Sequence, residues 1–143
     1  MRFIVGSRRI ARECALKLLY QKEYNDKTVN DIAEDFWKIE PVLDDIREFS
    51  EILFFGTVEK LSEIDSMMGK CTLNWDMDRI THVDKNIIRI ALYEMAYMEE
   101  IPFAVSINEA IDISKRYSTN ESGKFINGVL DKAKSILMDK NTD

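Results

Sequence analysis

Only five glycines and two prolines punctuate the 143 residues of this chain. Between them apolar side chains recur at steps of three and four, the spacing that lines one face of an α-helix. No alternating strand pattern is present, so the expected fold class is all-α. The first helix is expected from about Ser7 to Glu23 and the second from about Val29 to Lys38, with Glu40-Pro41 breaking the chain after it. From Asp45 to about Gly69 the residues Ile46, Phe49, Leu53, Leu61, Ile64 and Met68 form one stripe, read as a single long third helix that closes a first three-helix unit. Residues 70–80 read as a connection with a short helical turn over Trp75 to Ile80.

Three helix starts follow, each carrying a capping box in which a hydroxyl and a carboxylate three residues later satisfy the orphan amides of a first turn. They are Thr81–Asp84, Ser106–Glu109 and Ser118–Glu121, and they predict helices over roughly 84–99, 106–117 and 121–140. The first of these is apolar nearly all round, which places it centrally in a bundle, and Pro102 enforces the break after it. The expected organisation is therefore two packed three-helix subdomains with about seven helices in all. Residues 1–72 form the N-terminal one and 73–143 the C-terminal one, together a compact domain.

Charge is distributed unevenly along this frame. Residues 1–22 carry six Lys/Arg against one Glu, residues 23–70 five against thirteen acids, and residues 71–143 nine against twelve, in a chain of net charge −6. A basic first helix on an acidic body points to a local anion site, because clustered Lys/Arg gain affinity by releasing phosphate counterions. On a helical wheel Ile10, Ala11, Cys14, Ala15 and Leu18 fall on one side, and Arg8, Arg9, Arg12, Lys17 and Tyr20 on the other. Guanidinium groups beside a ring suit RNA, where phosphates are held and an unpaired base is stacked. The bland alternative is a solvated face in which Glu13 pairs with Arg9 and Lys17, four residues away on either side.

A second candidate opens the last helix. Ile126, Val129, Leu130, Ala133, Ile136 and Leu137 define its core side, which leaves Phe125 at the stripe's edge beside Lys132 and next to Lys124, a place where a base could stack near backbone amides that favour phosphate; the bland alternative is a packed ring. Gly128 inside this helix costs roughly 1 kcal/mol relative to Ala and is read as permitting close helix packing.

Other chemistries find little support. Cys14 and Cys71 are far apart, lack CxxC spacing and have only His82 as a nitrogen partner, so reduced, buried thiols are expected and no metal or cofactor is. No nucleophile elbow, phosphate loop, dinucleotide fingerprint or zinc-protease motif occurs, and the acidic residues carry no catalytic context, so no enzyme activity is expected. No apolar run approaches the roughly 18 residues needed to span a bilayer, and a cytoplasmic location is the default.

Four segments in order, Arg8-Arg9-Ile10-Ala11-Arg12-Glu13-Cys14-Ala15, Ile88-Arg89-Ile90-Ala91-Leu92-Tyr93-Glu94, Ile107-Asn108-Glu109-Ala110-Ile111 and Lys124-Phe125-Ile126-Asn127-Gly128-Val129-Leu130-Asp131, carry a resemblance. The chain resembles the NusB family of bacterial transcription antitermination factors over essentially its whole length. The resemblance implies an all-helical fold of two three-helix subdomains. It also implies binding of the boxA RNA of nascent transcripts, chiefly from ribosomal RNA operons, together with the ribosomal protein NusE, in a complex with NusA, NusG and RNA polymerase. It carries RNA contact onto Arg8, Arg9, Arg12, Tyr20, Lys124 and Phe125 here, with Lys17 on the same helix face. Ile10 stands where other members can carry a third consecutive arginine. Glu121, next to Lys124 and Phe125, is expected to oppose RNA, and NusE contact is expected around Asp84. The competing expectation is an acidic helical scaffold that binds a basic protein without specific RNA binding. A NusB-like region fused to RNA cytosine methyltransferases is a third relative, from which no activity is expected here. Both a monomer and a homodimer that hides the basic helix are compatible with the pattern.

Overall fold

The computed structural model of the chain describes residues 6–76, 78 and 80–141. All regular structure among them is helical: α1 Ser7–Glu23, α2 Val29–Ile39, α3 Asp44–Glu59, α4 Leu61–Cys71, α5 His82–Tyr97, α6 Phe103–Tyr117 and α7 Ser122–Asn141. The first helix begins and ends where hydrophobic spacing places it, and the second runs one residue further than expected, to Ile39. Thr28 caps α2 by accepting the Asp31 N–H at 3.2 Å, and Glu40 ends it one residue before Pro41.

The single long third helix expected from the sequence is instead two. Lys60 leaves the helical conformation at φ −99° and ψ 18°, yet its N–H still reaches the Gly56 carbonyl and its own carbonyl accepts from Ile64 N–H at 2.9 Å. Hydrogen bonding is thus nearly continuous across the bend, and neither glycine nor proline marks it. The apolar stripe survives, with Ile46, Phe49 and Leu53 buried on α3 and Ile64 and Met68 on α4. What changes is its destination: α3 packs chiefly on α1, whereas α4 lies against α5 and α7. The short turn expected over Trp75–Ile80 includes positions 77 and 79, which lie outside the described residues.

Helix α5 occupies the centre, touching α1, α3, α4, α6 and α7, with Ile88 and Leu92 fully buried. Its all-round apolar character is thereby accounted for, since five neighbours leave little surface to solvate. Of the first capping box only the hydroxyl half forms: Thr81 Oγ1 accepts the Asp84 N–H at 3.1 Å, while the Asp84 carboxylate turns to the Ser122 hydroxyl instead of the helix start. The second does not cap. Pro102 is itself the N-cap of α6, which starts at Phe103, so Ser106 lies inside the helix and donates instead to the buried Glu94 at 2.9 Å. In the third, Ser118 closes α6 rather than opening α7, and its hydroxyl lies 2.9 Å from that of Ser122.

The close approach at the α3–α5 crossing depends on Gly56. The Tyr93 ring occupies the space in which a Cβ at Gly56 would stand. At Gly128 the opposite holds: a Cβ there meets only Trp75 Cζ2, at 3.9 Å, so the expectation that this glycine serves close packing is corrected. Gly56→Ala is expected to destabilise the fold by about 1–3 kcal/mol through overpacking. Gly128→Ala should be neutral or stabilising by up to about 1 kcal/mol through helix propensity. Urea denaturation of both variants checks the contrast, and equal effects would contradict it.

Candidate nucleic-acid interface

Along α1 the basic residues meet different neighbours, so the exposed basic face drawn on the wheel is not uniform. Arg8 is exposed and its guanidinium lies 3.8 Å from the centroid of the Phe49 ring on α3, a cation–π arrangement that steadies the side chain without neutralising it. Arg9 is one-third exposed. Its Nε donates to Glu109 Oε1 at 2.8 Å, while Nη2 is shared between Glu109 and Asp112, the latter at 2.9 Å. These hydrogen bonds, Glu109's first, hold Arg9 above its ordinary pKa.

Arg12 is a correction to the wheel. It is only 4% exposed, and its guanidinium grips Glu94 of α5 bidentately, Nε to Oε2 at 2.7 Å and Nη2 to Oε1 at 2.8 Å, with Nη1 donating to Glu109 at 3.1 Å. Glu94 is itself 1% exposed and takes the Ser106 hydroxyl as well. Burying two opposite charges this deeply is tolerable because every strong donor faces an acceptor. Arg12 thus fixes α1 against α5 and α6, out of a phosphate's reach.

Neither of the expected pairs between Glu13 and its helix neighbours forms. Glu13 is buried and accepts from Arg116 at 3.1 Å and from the Tyr117 hydroxyl at 3.3 Å, and Lys17 donates to Glu40 at 2.8 Å. Ile10, assigned by the wheel to the core side, is 38% exposed. Tyr20 is exposed, its ring centroid 5.0 Å from that of Tyr24. Beside it runs an apolar cavity of about 400 Å³ lined by Leu16, Tyr20, Phe36, Ile39, Val83 and Tyr117. The accessible strip of α1 therefore comprises Arg8, part of Arg9, Lys17 and Tyr20.

The second candidate site sits elsewhere. Lys124 is exposed and Phe125 half-buried, its ring meeting Trp75 edge-on with centroids 4.8 Å apart. Trp75 and Phe125 flank a cavity of about 350 Å³ whose polar wall includes Asn74, Glu121 and Asp84. Glu121 stands exposed at the residue before α7. Asp84 is not a surface handle. It is buried, with Oδ2 accepting the Ser122 hydroxyl at 2.8 Å and Oδ1 without a hydrogen-bond partner, so it fastens the first turn of α5 to the first residue of α7. Helices α1 and α7 do not pack on each other, but both pack on α5 and α6.

Glu94, Glu109, Asp112 and Arg116 were not singled out as partners of the basic helix by sequence reasoning. One signal was available, Glu94 in the mostly apolar second half of α5, a carboxylate whose burial demands a counter-charge. Burial pushes the Cys14 thiol up to about 11 and raises that of Cys71, which leaves both protonated and unreactive at neutral pH. Among the described residues no His, Cys, Asp or Glu side chains group as a metal site, and no helix is long and apolar enough to cross a membrane.

Fold and site together define an all-helical protein that presents a short charged and aromatic stretch on its first helix. The NusB family model matches residues 9–135, and the chain belongs to the NusB family. It is 45% identical over 133 residues to the transcription antitermination protein NusB of Bacillus subtilis, covering 91% of this chain and 96% of that one. It is 40% identical over 136 residues to NusB of Syntrophus aciditrophicus, covering 95% and 84%. The solved structure of T. maritima NusB superposes with a TM-score of 0.80 at 36% identity over 93% of this chain and 92% of that one. The fold is also that of the NusB chain in a structure of antitermination factors NusB and NusE with double-stranded RNA, at a TM-score of 0.80, 24% identity and coverage of 91% and 97%. Family membership makes this a transcription antitermination protein and not an enzyme.

Two stability measurements probe the buried pairs. Arg12→Ala strands Glu94 without its counter-charge and is expected to cost about 3–5 kcal/mol, whereas Arg8→Ala should cost less than about 1 kcal/mol; denaturant titration separates them. Glu109 is held below its ordinary value of 4.5, first by the Arg9 hydrogen bond. A carboxylate lowered on folding contributes stability that is complete above its unfolded pKa and is lost as pH falls through the folded one. Wild type should therefore exceed Glu109→Gln in stability at neutral pH, with the difference narrowing once pH drops below 4.5.

Proposed function

We propose that this chain is an RNA-binding adaptor of transcription antitermination in the cytoplasm, taking the boxA element of nascent ribosomal RNA transcripts jointly with NusE and joining NusA, NusG and RNA polymerase. The observation that carries the reading is the accessible part of α1, where Arg8, Arg9, Lys17 and Tyr20 all keep surface exposed to solvent. Arginine and lysine supply phosphate attraction, and an exposed ring supplies a sequence-tolerant stacking surface. Arg12 acts as a positioning residue that holds this strip in place. Lys124 and Phe125 form a second contact region, with Trp75 bracing the Phe125 ring. Glu121 stands on the rim of that region and weakens phosphate approach. Asp84 serves NusE binding by setting the join between α5 and α7.

The scaffold reading draws on one specific observation: Arg9, Arg12 and Lys17 all have carboxylate partners within the chain. Fluorescence anisotropy of a labelled boxA RNA against a scrambled sequence, with and without NusE at two salt concentrations, separates the two. Preference for boxA that strengthens with NusE supports the adaptor, and equal, weak binding of both RNAs that NusE leaves unchanged supports the scaffold. The Arg8→Ala/Arg9→Ala double variant should flatten the salt dependence by up to about two phosphate equivalents. Glu121→Gln should tighten binding, and an unchanged affinity across salt would contradict the role given to Glu121.

A further inference from the structure

The carboxylates that face Arg9 differ in what they are tied to. Glu109 receives both Arg9 and Arg12 and is only 20% exposed, so it belongs to the buried network. Asp112 is 45% exposed, reaches Arg9 Nη2 through a single contact of 2.9 Å, and is shared with Lys115 at 3.7 Å, one turn further along α6. Asp112 presents to Arg9 Nη2 the same kind of anionic oxygen that a ligand phosphate would, at the more exposed of the two carboxylates. From this geometry we propose that Asp112 is an internal stand-in for phosphate, and that RNA engages Arg9 by displacing Asp112 while Glu109 stays in place. Asp112 is then an affinity-setting residue: it holds the guanidinium extended and pre-oriented in the free protein and competes for it in the complex. Lys115, one turn further along α6, stays beside Asp112 and compensates the carboxylate freed from Arg9. The proposal rests on the RNA-binding reading above.

Asp112 lies at the surface and its contact is a single exposed ion pair, so its replacement leaves the fold intact and changes binding by a modest factor. Asp112→Asn is expected to tighten boxA RNA binding by about two- to fivefold at low salt and to steepen the salt dependence by up to about one phosphate equivalent. Removing any negative charge near RNA gives some gain through the general field, so the decisive comparison is a double-mutant cycle. In an Arg9→Ala background the gain from Asp112→Asn should vanish if Asp112 acts by occupying Arg9. A gain of equal size in both backgrounds assigns the effect to the field and overturns the proposal, as does no gain in either. Wild-type protein that binds RNA in the same assay, with no coupling between the two positions, fails this inference alone. Wild-type protein that binds no RNA fails the adaptor reading beneath it.

Discussion

The buried Arg12–Glu94 pair is the interaction on which the surface of this molecule depends. Two ionised groups with almost no exposure carry a desolvation cost that only complete hydrogen bonding offsets. Here the Arg12 Nε, Nη1 and Nη2 all have carboxylate acceptors, and Glu94 adds the Ser106 hydroxyl. An apolar contact between α1 and α5 would tolerate rotation of α1 about its own axis. A bidentate guanidinium–carboxylate contact does not, because its fork is planar and directional. The rotational setting of α1 is thereby tied to α5 and, through Glu109, to α6. That setting turns Arg8, Lys17 and Tyr20 outward.

The acidic body also supplies the counter-charges of its own basic helix. Arg9 and Arg12 are balanced by Glu94, Glu109 and Asp112, Lys17 by Glu40, and Glu13 by Arg116. Among the described residues of α1 three basic side chains are compensated in this way, and Arg8 instead meets the face of Phe49. With a net charge of −6, long-range steering of RNA by the whole molecule is unfavourable. On the proposed reading, recognition then rests on short-range contacts.

Hydrophobic spacing made most of the fold legible before any coordinates: the boundaries of α1, the central place of α5 and the buried stripe of α3 and α4 all follow from it. The break at Lys60 was not legible, because its cause is tertiary. The chain bends with its hydrogen bonds nearly intact so that α4 can reach α5 and α7. The Ser106 capping box misled for a related reason. A hydroxyl and a carboxylate three residues apart also occur inside a helix, where these two face a buried acid and an arginine on other elements. The candidate site was legible as a set of residue types but not as a surface. A helical wheel separates apolar from charged positions and carries no knowledge of what lies opposite, so it could not distinguish Arg8 at an aromatic face from Arg12 in a carboxylate fork.

Helix α5 joins the two candidate surfaces mechanically. Near its start Asp84 holds Ser122 at the head of α7, from which Lys124 and Phe125 project, and near its end Glu94 holds Arg12 of α1. Ten residues of helix separate the two anchors, about 15 Å along the axis at 1.5 Å per residue. Both anchors are buried carboxylates engaged by directional hydrogen bonds, so the strip on α1 and the Phe125 region are mounted on one rigid rod instead of being linked through loops. Because α1 and α7 do not touch, no direct packing between them can adjust that separation. A single continuous ligand that met both surfaces would read a distance set by the central helix, which gives a physical reason for burying costly charged groups at both of its ends.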